Sequence, residues 1–221
     1  MQPYFYPYIG YYQLISECDV FVFLDDVNFI KKGFIHKNFI NVNGEKSQIN
    51  LRIVKASQNK KINELKISDS RSDFLNKVEE CYKKSPYWLD VCKIIEKHEL
   101  EDDESLSGFL ISTNCHLISY LNLNANILKA SDIESQISGL RGEDRILEIV
   151  KTIGGTSYIN LPGGKNLYSD DNFRKNNIEL NFLEPNLKLD GVIENSFSII
   201  DCVANYGFNH LNKWFSGSSI K

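Results

Sequence analysis

Val20-Phe21-Val22-Phe23-Leu24 is an unbroken apolar run of β-branched, aromatic and aliphatic residues that ends in the pair Asp25-Asp26. A run of this length without polar alternation suits a strand buried on both faces, as in parallel sheets covered by helices. The two acids then mark the strand's carboxyl end, where open α/β sheets bind ligands. Neighbouring residues on a strand face opposite ways, so at most one of Asp25 and Asp26 is expected to face a pocket. A metal site built from this pair is therefore not expected. The predicted class is α/β, with a short, largely parallel, Rossmann-like sheet.

The flanking segments fill in this frame. Pro3 and Pro7 keep the opening residues extended or turning. From Gly10 a short helix carries Tyr11, Leu14, Ile15 and Cys18 on one stripe. Asn43-Gly44 is a strong hairpin signal. Alternation on the hairpin's first arm groups Phe34, His36 and Asn38 on one face and Ile35, Lys37 and Phe39 on the other. Residues 55–65 read as a surface loop. Apolar spacing turns helical at Phe74, Leu75, Val78, Cys81 and Tyr82, and again at Tyr87, Val91, Ile94 and Ile95, with Ser85 as cap and Pro86 at the first position. A third helix covers about 104–121. Together they form an expected helical insert at 72–122 within a single α/β domain spanning 1–221. Beyond it, strands at 126–129, 157–160 and 178–183 alternate with helices, one of which stops at Gly154, and Gly163-Gly164 reads as part of a Pro-Gly-Gly turn. Two helices at 196–207 and 208–215 close the chain.

Composition removes several function classes. With 25 Lys and Arg against 29 Asp and Glu, the net charge of -4 speaks against a nucleic-acid partner. The five cysteines, Cys18, Cys81, Cys92, Cys115 and Cys202, show no C-x-x-C spacing and read as reduced thiols. No apolar run reaches the roughly 18 residues of a membrane span, and no signal-peptide pattern is present. A cytoplasmic location is expected. The acidic run Glu101 to Glu104 reads as a solvated turn.

Candidate chemistry gathers near the first strand. His36 is the best general-base candidate, with Asp26 as its expected hydrogen-bond partner. Lys37 and Asn38 suit phosphate and a sugar or amide group. Arg145, in a first helical turn where a cation opposes the dipole, is expected to pair with Asp25 or Asp26 or to meet a phosphate. Tyr8-Ile9-Gly10-Tyr11 loosely resembles the His-x-Gly-His element of nucleotidylyltransferase-type folds, in which a glycine admits phosphate to a helix N-terminus. Gly163 and Gly164 allow close approach of a ligand to backbone, or simply a turn.

Gln2 through Ile15, followed by Phe21 to Val27, resembles the opening of the WbqC-like family. Lys31 to Asn38, Gly142 to Ile146, Tyr158 to Tyr168 and Ser198 to Asp201 agree with it. The resemblance implies a role in bacterial surface-polysaccharide (O-antigen) biosynthesis, with acyl or aminoacyl transfer to a nucleotide-linked amino sugar, and with an acyl or aminoacyl carrier as a further partner. It points to no particular cofactor. A non-catalytic binding or carrier-docking module, and a nucleotidylyltransferase-like enzyme, stand as alternatives. Gln2, Tyr8 and Tyr11 would contact sugar or nucleotide. Family members carry residues before Gln2 that complete a first strand, so that strand is expected to be nearly absent here or to begin upstream of Met1. His36-Lys37-Asn38 stands where the family tends to show Asn-Arg-Asn.

Overall fold

The computed structural model describes residues 1–68, 71–100, 105–133, 137–186, 188–189, 192–193 and 197–217. The expected acidic turn at 101–104 lies outside them. Among the described residues the strands pair two by two. The apolar run becomes β1 (Val20–Phe23), which pairs in parallel with β6 (Asn126–Lys129), Phe21 opposite Ile127. A second parallel pair joins β7 (Ser157–Asn160) to β8 (Glu179–Phe182). The hairpin β2 (Lys37–Val42) and β3 (Glu45–Asn50) turns at Asn43 and Gly44, both at positive φ, as a two-residue loop requires. Short antiparallel pairs complete the set: β4 (Ile53–Val54) with β5 (Lys66–Ile67), and β9 (Lys188–Leu189) with β10 (Val192–Ile193).

The α-helices among the described residues are α1 (Ile9–Ser16), α2 (Arg71–Tyr82), α3 (Trp88–Leu100), α4 (Leu106–Tyr120), α5 (Gly142–Thr152), α6 (Asp170–Lys175) and α7 (Ile199–Gly217). No helix among the described residues is long and apolar enough to cross a membrane. In α1 every residue but Ser16 is buried, the mark of a helix enclosed on all sides. α2, α3 and α4 share one hydrophobic cluster with the opening segment; the rings of Tyr6 and Phe74 stack 5.5 Å apart within it. A smaller cluster lies under α5 and includes Ile146, Leu147, Val150 and Phe173. The last helix is two helices across a kink at Gly207 (φ 70°, ψ 162°), matching the break read at that glycine. Asp90 accepts from the N–H of Phe208 and so caps the second half, at 3.0 Å. A Cβ at Gly207 would stand 2.4 Å from the Tyr87 ring.

Several local expectations are corrected. The first hairpin arm starts at Lys37, so the alternation does not extend back to Phe34. Ile35 is buried and Phe34 exposed because residues 31–36 bend rather than pair. Residues 55–65 are only partly a surface loop: a one-turn helix, Ile62–Glu64, buries Ile62 and Leu65 against the main core. The Ser85 hydroxyl is buried without a hydrogen-bond partner, and α3 starts only at Trp88. Pro162–Leu167 is a short 3-10 helix rather than a simple turn, since its proline stands at the first helical position.

The opening eight residues are the least regular part of the core. None of them belongs to a described strand, yet Phe5 and Tyr6 are almost wholly buried and Tyr6 holds φ 43°. Buried carbonyls need donors, and side chains supply them. Asn38 Nδ2 donates to Phe5 O at 3.0 Å and Tyr6 O at 2.6 Å, while its Oδ1 accepts from Phe39 N–H. Asn114 Nδ2 donates to Tyr4 O at 2.9 Å, and Tyr11 Oη–H to Gln2 O at 2.8 Å. Asn38→Leu keeps volume but strips both donors from two buried carbonyls, each costing about 1–3 kcal/mol. Chemical denaturation should show a loss of roughly 2–5 kcal/mol.

Candidate functional site

The two acids fall in the turn after β1 and take different partners. Asp25 accepts from Ser131 N–H at 3.0 Å and Ser131 Oγ–H at 2.7 Å, which pins β1 to the helical turn Ala130–Ile133 following β6. Asp26 accepts from Arg145 Nη2–H at 2.5 Å. That guanidinium arrives from the first turn of α5, against the helix dipole. Both partners are withdrawn from water, with side-chain exposures of 1% for Asp26 and 13% for Arg145. Yet Asp26 Oδ1 and Arg145 Nε are buried without a protein partner. The pair thus presents one spare acceptor beside one spare donor.

The start of α5 is held firmly. Glu143 accepts from Ser169 N–H and Asn172 Nδ2–H, both short contacts, which locks α6 onto the turn that carries Arg145. Gln2 reaches the same end of β1, because Leu24 N–H donates to Met1 O just before it. Gly163 and Gly164 follow the carboxyl end of β7. At Gly163 a Cβ would meet open space, whereas at Gly164 it would lie 2.6 Å from Asn160 Nδ2, so Gly164 is small for packing.

The remaining candidates sit apart from this pair. His36 lies against Phe29, ring centroids 5.1 Å apart, and its Nδ1 is buried without a partner. Burial, and then the neighbouring Lys37 ammonium, lower its pKa from the ordinary histidine value. No hydrogen bond joins it to Asp26, whose Oδ2 is held by Arg145 and whose Oδ1 has no protein partner. Lys37 opens β2 and is half-buried, while the Asn38 amide serves the opening backbone. Tyr11 is fully buried, and burial raises its pKa well above the usual phenol value. Tyr8 is half-buried, its pKa raised by burial and then by Tyr4. A Cβ at Gly10 would stand 2.4 Å from Tyr8 Cε2. The space that a phosphate would need there is filled by the Tyr8 ring.

Among the described residues no group of three or more His, Cys, Asp or Glu is placed to hold a metal ion. Sequence reasoning missed Ser131, Asn114 and the paired hydroxyls of Tyr158 and Tyr168, 3.2 Å apart. Only Asn114 left a usable signal, as an amide buried inside an apolar helix.

His36 carries a pH signature. The unfolded imidazole takes a proton near pH 6.5, while the folded one resists until lower pH. The stabilisation is present above about 6.5 and fades as pH falls below it. Between pH 7.5 and 5.0 the wild-type denaturation midpoint should fall more steeply than that of His36→Gln, whose curve lacks this component.

No curated protein and no solved structure matches the chain significantly. The match to a family is nearly complete: residues 2–213 fit the WbqC-like protein family, and the chain belongs to it.

Proposed function

We propose that the protein binds a nucleotide-linked amino sugar at the carboxyl end of β1 and acts as an enzyme of bacterial surface-polysaccharide biosynthesis, by acyl or aminoacyl transfer. The pathway is the one that the resemblance to the WbqC-like family implies, and membership of that family supports it. The ligand chemistry rests on one observation: the buried Asp26–Arg145 pair leaves Oδ1 and Nε unpartnered. An ion pair kept only for stability is expected to have its remaining polar atoms satisfied, since removing two charges from water is costly. A spare carboxylate oxygen complements an amine or hydroxyl hydrogen, and a spare guanidinium N–H complements a phosphate or carbonyl oxygen. The two parallel strand pairs support a Rossmann-like reading, in which such sites lie beyond strand carboxyl ends. We read 1–221 as one cytoplasmic α/β domain with 72–122 as a helical insert.

In acyl transfer the sugar amine attacks the donor carbonyl carbon, loses a proton and expels the donor's leaving group. A neutral His36 suits receipt of that proton, but it would have to act without Asp26. The missing link between these residues favours a second reading, a non-catalytic module that docks an acyl or aminoacyl carrier. The Tyr8 ring at Gly10 speaks against a nucleotidylyltransferase-type phosphate cradle.

Titration calorimetry with UDP-linked amino sugars and their non-amino counterparts tests this. The amino sugar should bind, and Asp26→Asn and Arg145→Lys should each weaken binding at least about tenfold, equivalent to 1.4 kcal/mol, with circular dichroism unchanged. Equal binding of amino and non-amino sugars, or binding only to an acylated carrier protein, would sink the enzyme reading.

A further inference from the structure

Residues 28–37 and 55–61 carry six lysines and no Asp or Glu, in a chain whose net charge is -4. The fold brings these two segments together. Phe29 N–H donates to Lys60 O at 2.9 Å, and Asn28 and Lys61 form an antiparallel bridge. Of the acids that flank them, Asp25 and Asp26 are buried, and Glu64 accepts from Lys61 N–H at 2.8 Å. Among the described residues, Lys31, Lys32, Lys55 and Lys60 are exposed and enter no ion pair. One sign of charge thus gathers on one part of an acidic protein.

Apolar side chains stand among these amines. Gly33 N–H donates to Ile30 O at 3.3 Å, closing a turn with Lys31 and Lys32 at its two corners. Ile30 and Phe34, on either side of the corners, are each 44% exposed. Phe29 and Ile35, just beyond Ile30 and Phe34, are almost wholly buried, so the core pins the turn at both ends. The Tyr4 ring steadies Phe34 edge-on, with centroids 6.1 Å apart. A single exposed apolar residue is ordinary on any protein. Two on one pinned turn, with cations between them, match segments that lie at headgroup depth. There the apolar groups enter the acyl boundary while long lysine stems carry their amines to phosphate. A protein interface instead depletes lysine at its apolar core.

We propose that the turn from Ile30 to Phe34, with the lysines of 55–61 beside it, is a docking surface for an anionic lipid membrane. Ile30 and Phe34 enter the headgroup layer, and Lys31, Lys32, Lys55 and Lys60 meet the lipid phosphates. The surface adjoins the carboxyl end of β1. Asn63 N–H donates to Asp25 O at 2.9 Å and Ile62 N–H to Val27 O at 3.0 Å, so the chain that leaves β1 runs along the end of the lysine loop. Docking holds that end of β1 near the lipid, whether or not Asp26 and Arg145 bind a sugar. Each lysine near an anionic surface is worth roughly fivefold in partition. Four of them with two apolar contacts give binding that is reversible and sensitive to salt.

The test is sedimentation of the full chain with vesicles of phosphatidylcholine alone, or of phosphatidylcholine and phosphatidylglycerol in equal parts. The chain should bind the mixed vesicles, bind the neutral ones at least about tenfold more weakly, and come off as salt rises. Lys31→Gln with Lys32→Gln should weaken binding about twentyfold. Ile30→Ser with Phe34→Ser changes no charge, yet should weaken it at least about fivefold. Lys83→Gln with Lys84→Gln, exposed between α2 and α3, should leave it unchanged. Every substituted side chain is exposed, and circular dichroism checks that each variant keeps the fold. Absence of binding, equal binding to neutral vesicles, or an equal loss from the Lys83 and Lys84 pair overturns the proposal. So does full binding by the Ile30 and Phe34 variant, the result expected if the lysines face an acidic protein instead.

Discussion

The irregular opening backbone is tolerable in a core only because amide side chains satisfy it. A segment holding two prolines cannot join a sheet along its length, since each proline lacks an N–H. Its carbonyls, buried among Phe5, Tyr6 and Phe74, would otherwise lack donors. Asn38 from β2 and Asn114 from α4 supply them, and Ile199 N–H completes the set at Pro7 O, 3.0 Å away. Three elements distant in sequence therefore converge on a single eight-residue stretch. Asp201 at the start of α7 extends the convergence by accepting from Asn41 N–H of β2 and from Tyr82 of α2.

Against that anchored background the carboxyl end of β1 divides its two acids by role. Asp25 is fully engaged, with both carboxylate oxygens on Ser131, and it holds the exit of β6 beside β1. Asp26 is engaged on one oxygen only. The difference matters because a low-dielectric surrounding strengthens whatever partner an unsatisfied polar atom finds. Arg145 constrains that partner further, since its planar guanidinium presents donors in a fixed fork. Glu143 and Asn172 clamp the turn that presents it. Rigid support of this kind is what a binding site needs, because orientation is lost quickly when the supporting residues are loose.

Much of this was legible in the sequence, and the limits have physical causes. The apolar run of β1, the Asn43-Gly44 turn and the break at Gly207 are local signals, carried by residues a few positions apart, and the structure has all three. Arg145 was legible as an anomaly, a cation in the wrong turn of a helix, and Asp26 is one of the partners that anomaly left open. The uses of Asn38 and Tyr11 were not legible. An amide or phenol near a candidate pocket looks like a ligand contact, and only the three-dimensional path of residues 1–8 shows its partner to be the chain's own backbone. That β2 starts at Lys37 and not at Phe34 has the same origin. The Phe34 carbonyl answers to the opening segment, whose Phe5 N–H donates to it at 2.9 Å, and not to β3.

This bears on what a specific sequence motif means. The tyrosines, prolines and glycine between Gln2 and Tyr12 are distinctive enough to identify a family, yet most of their polar groups close hydrogen bonds inside the fold. Tyr11 serves Gln2 O and Tyr12 serves Asn114. Gly10 makes room for the Tyr8 ring. Such a motif is constrained by packing, because residues such as Tyr11, Tyr12 and Gly10 have partners that another type would leave unsatisfied or clash with. Distinctiveness of that kind arises without any reaction. The groups that the fold leaves unsatisfied are the better guide to chemistry, and at the end of β1 these are single atoms of Asp26 and Arg145, residues 119 positions apart in the chain.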